Sequence, residues 1–225
     1  MDDMEAKNPD GKMPVFQNGN LILNNTLEIV QFIDSLNEPL GGYDVNKERV
    51  QEWMRVIDAW EPKLFTLSNV PVKVRTYFGR FKRRVIIAKM AQNPSLAGYL
   101  RAKLQRAYAT DELMKDAEVL EQNRRQLERL LDMAEEQLQS TEYLAGESFT
   151  MADVMLLPLL GWIELLGVSR EYIRGRKNLS HYWMKVKRRP SYNAVVGKYF
   201  GGINKYVTLL TNSINVSFRT LIRRY

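Results

Sequence analysis

The chain has 225 residues, 45% of them apolar, and 33 Lys and Arg against 26 Asp and Glu give a net charge of +7. That is enough apolar material for one sizeable core. The lack of cysteine excludes disulfides, thiolate metal sites and a cysteine nucleophile, and a single histidine, His181, excludes a multi-histidine metal centre.

In chain order, the first dozen residues, MDDMEAKNPDGK, are acidic and polar and lack the apolar run of a secretory signal. Met13 to Phe16 and Leu21 to Leu23 are short apolar runs separated by Gln17, Asn18, Gly19 and Asn20, and an Asn-Gly pair between such runs predicts an antiparallel hairpin. Asn24, Asn25 and Thr26 are N-cap types. Ile29, Val30, Ile33 and Leu36 then recur at helical spacing, so a helix is predicted over roughly 27–35, with Thr26 read as its cap. Pro39, Gly41 and Gly42 close the unit as a linker. A strand-strand-helix unit of this size cannot bury a core of its own, so it must dock on the longer region C-terminal to it.

Beyond the linker, helical periodicity dominates. Val50, Trp53, Met54, Ile57, Trp60 and Leu64 form one stripe; Val74, Phe78, Phe81 and Val85 a second; Leu120, Leu127, Leu130, Leu131, Ala134 and Leu138 a third. All three read as core faces. In YLAGESFTMADVMLLPLL, residues 143–160, Thr150 stands as N-cap with Asp153 three residues on, the spacing of a capping box, while Phe149 and Val154 occupy the positions of a hydrophobic staple. Pro158 should kink the helix that this box starts.

Positive charge is uneven. Between Gly167 and Pro190 eight basic residues face one acid, Glu171, and a second cluster holds Arg80, Lys82, Arg83 and Arg84. No helix-turn-helix, zinc-finger or aromatic RNA-binding motif accompanies them, so a solvated basic surface is expected and no nucleic acid partner. In the tail, Ile203, Val207, Leu210, Ile214, Phe218, Leu221, Ile222 and Tyr225 keep helical spacing among basic residues without any acid. This segment suits packing on the helical domain or lying along an anionic membrane surface, and is too polar to span a membrane. No glycine-rich phosphate loop or triad motif is present.

Several of these strings resemble one family. KMPVF followed by Asn25 and Thr26 resembles the second half of the thioredoxin-like, glutathione-binding domain of glutathione transferases, entered at a cis-proline. Residues 143–160 resemble the capping box and buried central helix of that family's C-terminal domain, and RKNLSHYWMKVKRRPSYNAVVGKYF, residues 176–200, its late helices. The resemblance covers 8–200 and is closest to the plant tetrachlorohydroquinone-dehalogenase-like class, through MPVFQNG, EWMRVIDAWEPKLFTL and the added basic segment before Ala91. The long stretch between Trp60 and Asp116 also resembles the ganglioside-induced differentiation-associated proteins.

The resemblance implies a mainly α fold: a partial thioredoxin-like domain over 1–38, a linker over 39–45, an all-helical C-terminal domain over 46–200 and a basic amphipathic extension over 201–225. It implies a glutathione site at Lys12, Met13, Pro14, Asn25 and Thr26, with the Met13 backbone pairing with the cysteinyl part and the helix start taking the γ-glutamyl end. Asn25 stands where the family carries an acid. Trp53, Trp60 and Phe65 would line an apolar pocket for a hydrophobic electrophile. Glutathione is the implied co-substrate, without a metal, in a cytoplasmic and dimeric detoxification enzyme. No residue aligns with the family's thiol-activating Ser, Cys or Tyr, as though the chain began in mid-domain, so weak or no conjugation is expected. The alternative is a non-catalytic, transferase-derived helical module for dimerisation or peripheral membrane binding.

Overall fold

The structure, a computed structural model, describes Asn8 and residues 14–197. Lys12, Met13 and the amphipathic extension over 201–225 lie outside the described residues. Two short strands, β1 (Phe16–Asn18) and β2 (Leu21–Leu23), pair antiparallel with Phe16 opposite Leu23 and Asn18 opposite Leu21. Strand β1 thus begins and ends later than the apolar run suggested, and the two-residue turn is Gly19 and Asn20. Gly19 has φ of 58°, which only the first turn position requires here, so glycine is the residue that fits. Helix α1 (Thr26–Ser35) comes directly after. The Phe16 and Phe32 rings lie 5.4 Å apart and close the hairpin on to α1.

The helical domain is built around α7 (Met151–Leu165), in which Ala152, Leu156, Leu160 and Ile163 are fully enclosed. A helix with apolar residues on nearly every side is expected to be enclosed, and this one is except at Pro158 and Trp162. Helices α2 (Lys47–Asp58), α3 (Pro62–Ser68) and α6 (Ala117–Gln137) enclose it together with α9 (Lys177–Val186), which comes after the short helix α8 (Ser169–Tyr172). The helix α7 runs through Pro158 without a break. The first and third predicted stripes are core: Trp53, Met54, Ile57, Trp60 and Leu64 from α2, α3 and the corner between them, and Leu127, Leu130, Leu131 and Ala134 from α6, are all buried. Pro62 takes the first position of α3, where its missing N–H costs nothing, and so separates α3 from α2. Trp60 Nε1–H donates to the Asn123 carbonyl at 3.2 Å, and Asn123 Nδ2 donates to the Glu61 carbonyl at 3.1 Å. That exchange fastens the α2–α3 corner to α6.

Thr150 and Asp153 form the capping box that their spacing predicts. The Asp153 carboxylate accepts from the Thr150 backbone N–H at 2.8 Å and from its hydroxyl at 3.1 Å. It also accepts from the Leu144 N–H at 3.1 Å and the Tyr182 hydroxyl at 2.9 Å. The cap is therefore a four-donor cluster joining the loop before α7, the start of α7 and α9. Burial pushes the Asp153 carboxyl up, and the donors hold it down. The Glu135 carboxylate of α6 caps α9 across 44 residues, accepting from the backbone N–H of Asn178 at 3.1 Å and of Leu179 at 2.7 Å. Anions at a helix start satisfy amides that have no partner within the helix.

The second predicted stripe is not core. It lies on α4 (Val72–Gln92), which pairs with α5 (Ala97–Leu113) in a long hairpin, with a 3-10 turn (Pro94–Leu96) between them. Val74 is 42% and Phe78 51% exposed. The reason is that α4 makes its main contact with α5, so a stripe with correct helical spacing has only part of a partner to bury against.

The joint at Asp153 sets the expected stabilities of two variants. Thr150→Ala should cost about 1 kcal/mol as a lost cap, whereas Asp153→Ala, which strands four donors, should cost roughly 3 kcal/mol or more. Urea melts giving equal, small losses for both would contradict the cluster. Gly41 has φ of 96°, and a Cβ there would lie 2.9 Å from Val45 Cγ1 and 3.0 Å from Thr150 Cγ2. Gly41→Ala is expected to destabilise by about 2 kcal/mol through backbone strain and this clash, measurable in the same melts.

Candidate functional site

The hairpin delivers the chain to the start of α1. Asn25, with φ of −110° and ψ of 132°, is the N-cap: its Oδ1 accepts the Glu28 N–H at 3.2 Å, and its carbonyl accepts the Ile29 N–H at 3.0 Å. Thr26 is consequently the first helical residue and not the cap. The physical reason is that Asn25 still has extended backbone while Thr26 has already turned helical. Asn25 is exposed and Thr26 half-buried. One lone pair of Asn25 Oδ1 is committed to the cap, leaving its NH2 donors and one lone pair for anything that binds.

Pro14 precedes β1, and Asn25 and Thr26 follow β2 at the start of α1. That end presents the first-turn amides of α1, which no carbonyl of the helix can satisfy. A hydroxyl, an amide and a set of N–H groups at a helix start suit a carboxylate.

A cavity of about 380 Å³ lies where α1 and the linker meet the helical domain, lined by Gln31, Asp34, Leu40, Val50, Met54 and Met151 among others. Asp34 Oδ1 closes the turn by accepting the Leu40 N–H at 2.8 Å.

Trp53, Trp60 and Phe65 do not form the apolar pocket expected of them. All three are buried, with Phe65 5.5 Å from the Trp60 ring and 5.3 Å from Tyr172 in edge contact. Their helical stripe turns them inward on to α6 and α8. Val74, Phe78 and Trp162 do line open space, although the first two carry the spacing of a core stripe and the third no signal of its own. The signal that could have found them is the absence of a complementary apolar run opposite the second stripe.

His181 is exposed on α9. Among the described residues, no cluster of His, Asp and Glu is arranged to hold a metal ion, and no helix is long and apolar enough to cross a membrane. The basic run over 167–190 is drawn into the fold more than a solvated surface would be. Arg176 pairs with Asp132 at 2.7 Å, Lys187 with Glu164 at 3.0 Å, and Lys185 with Glu142.

The architecture is a two-stranded hairpin with one helix, docked on an all-helical domain whose central helix starts at a buried capping box. Solved structures share it: glutathione transferase F2 from Populus trichocarpa superposes with a TM-score of 0.58 at 19% identity, over 91% of this chain and 80% of that one. Gtt2 from Saccharomyces cerevisiae gives 0.56 at 18% identity, over 85% and 78%. The glutathione S-transferase C-terminal domain family matches residues 87–190. Glutathione S-transferase TCHQD of Arabidopsis thaliana is 46% identical over 221 residues, 97% of this chain and 83% of that protein. Identity at that level over nearly the whole chain goes beyond shared fold, and the chain belongs to the glutathione S-transferase family. It is also similar, at 24% identity over 201 residues, to the tetrachloro-p-hydroquinone reductive dehalogenase of Sphingobium chlorophenolicum, with 87% of this chain and 80% of that one covered.

Proposed function

We propose that the protein takes part in a glutathione-dependent reaction on a hydrophobic electrophile, and that this chain supplies the part of the site that holds the peptide. The observation that carries this reading is the start of α1, where Asn25, Thr26 and the first-turn amides lie together just after the hairpin. The γ-glutamyl carboxylate fits those amides and the Thr26 hydroxyl. Lys12 and the backbone of Met13 would take the rest of the peptide in the manner of an added strand.

In the reaction, the glutathione thiol gives up its proton, the thiolate forms a bond to the electrophilic carbon, and the leaving group departs with its electron pair. In this reading the residues just named bind and orient the peptide. A cytoplasmic setting and a dimer accord with the family reading.

The cap at Asn25 supplies the test. Asp caps a helix as well as Asn does, so Asn25→Asp should leave the melting curve in place while adding a carboxylate opposite the γ-glutamyl ammonium. Retention on glutathione-agarose should rise about fivefold, the equivalent of roughly 1 kcal/mol for a charge-assisted bond over a neutral one. Thr26→Val should reduce retention. If neither substitution changes retention, the start of α1 is not the glutathione site. Turnover of a chloronitrobenzene substrate by this polypeptide should stay near background, and robust turnover would overturn the assignment of a purely peptide-holding role.

A further inference from the structure

After α9 the chain turns into the single-turn helix α10 (Pro190–Tyr192). The Tyr192 N–H donates to the Arg189 carbonyl at 3.1 Å, so Pro190 and Ser191 form the bend between them. Tyr192 is buried, with its ring 5.5 Å from that of Trp183 in edge contact, and this holds the bend from one side. Ser191 itself is exposed, and among the described residues its hydroxyl has no hydrogen-bond partner.

Two arginines come just before it, and their surroundings differ. Arg188 is exposed and has no ion-pair partner among the described residues. Arg189 is half-buried, with its guanidinium over the Phe149 ring at 3.8 Å, and its enclosed Nε–H finds no acceptor among the described residues. A ring face attracts the cation, but it leaves the N–H groups of the guanidinium without lone pairs to bind. A buried donor with no acceptor is a standing cost. Here that donor belongs to a residue two positions from a free, exposed hydroxyl.

We propose that Ser191 is a phosphorylation site for a serine kinase that selects basic substrates, and that Arg189 receives the phosphate. Arg188, three residues before the hydroxyl, offers the carboxylates of such a kinase a free guanidinium. In the transfer, the Ser191 hydroxyl oxygen attacks the γ-phosphorus of ATP. The bond from that phosphorus to the β–γ bridging oxygen breaks with its electron pair going to ADP, and the hydroxyl proton passes to the general base of the kinase. The bend opens locally to admit the kinase, which releases Tyr192 from Trp183 and leaves the rest of the fold in place. Once the bend closes, the new phosphate supplies the acceptors that the Arg189 guanidinium lacks. Arg189 rests on Phe149, the neighbour of Thr150, so the added bonds reinforce the joint at which α7 begins. No residue of the hairpin or of the start of α1 takes part, so this site stands independently of the glutathione reading.

Incubating the native full chain with magnesium ATP and the catalytic subunit of cAMP-dependent protein kinase tests the assignment, read by mass spectrometry of the intact protein and of its peptides. Stoichiometric incorporation on Ser191 is expected, and Ser191→Ala should remove it. Arg188→Ala changes an exposed residue, and should slow incorporation at least about tenfold while leaving the melting curve in place. The phosphorylated protein should melt about 3 °C above the unmodified one. Arg189→Met, compared before and after complete phosphorylation, should show no such rise. Phosphate found elsewhere and not on Ser191, incorporation into the urea-unfolded chain alone, or an unchanged rate in Arg188→Ala would overturn the phosphorylation site. A melting temperature that stays or falls on phosphorylation, or a rise that survives Arg189→Met, would overturn Arg189 as the receiver.

Discussion

The Asp153 carboxylate is the interaction on which the arrangement depends. A carboxylate with no solvent exposure is tolerated only when its lone pairs are filled, because an unpaired buried charge costs several kcal/mol. Here the donors are the Leu144 and Thr150 amides and the Thr150 and Tyr182 hydroxyls. Filling those lone pairs fixes three things together: where α7 starts, how the loop before it folds back, and where α9 lies. Gly41 extends the same joint outward, since its lack of a side chain lets the linker sit against Thr150 and the Phe149 carbonyl. The hairpin unit is therefore seated on the helical domain at the point where that domain is best determined.

This explains what could be read from the amino-acid order. The capping box is a relation between residues three apart and the hairpin turn is equally local, so spacing locates both, whereas the cap of α1 fell one residue earlier than read, on Asn25. The stripes on α2 and α6 were legible because each is matched by apolar residues of α7. The stripe on α4 has the same period and the opposite fate, for periodicity says which residues share a face but not whether another element covers it. Contacts between distant parts were not legible at all. Nothing near Asn178 announces that Glu135 will cap its helix, and nothing near Trp60 announces Asn123. Of the candidate site, the helix start at Asn25 and Thr26 was legible, but Trp53, Trp60 and Phe65 are large aromatics on a core stripe, and the core claimed them.

Charge shows the same contrast between local pattern and three-dimensional use. The basic run over 167–190 is the densest in the chain, yet Asp132, Glu142 and Glu164 from other helices and loops meet three of its members, and Arg189 spreads its guanidinium over the Phe149 ring at 3.8 Å. Those cations serve mainly to hold α9 and the segment after it. The smaller cluster on α4 has less to satisfy it, because α4 itself contains no acid and α5 contributes Asp111 to one arginine. The α4 cluster thus keeps positive charge next to the exposed Val74 and Phe78.

The start of α1 shows why fold and function separate at one residue. An N-cap must present one acceptor to an amide two or three residues on, and Asn25 does this with Oδ1. A ligand ammonium also needs an acceptor, and a carboxylate could satisfy both because it has two oxygens and a charge. An amide offers a single oxygen whose geometry the helix already dictates, while its NH2 can only donate. Asparagine at this position therefore preserves the helix in full and biases what remains of the site toward a carboxylate group. The stability of α1 and the chemistry it can offer are set by the same side chain, through different atoms.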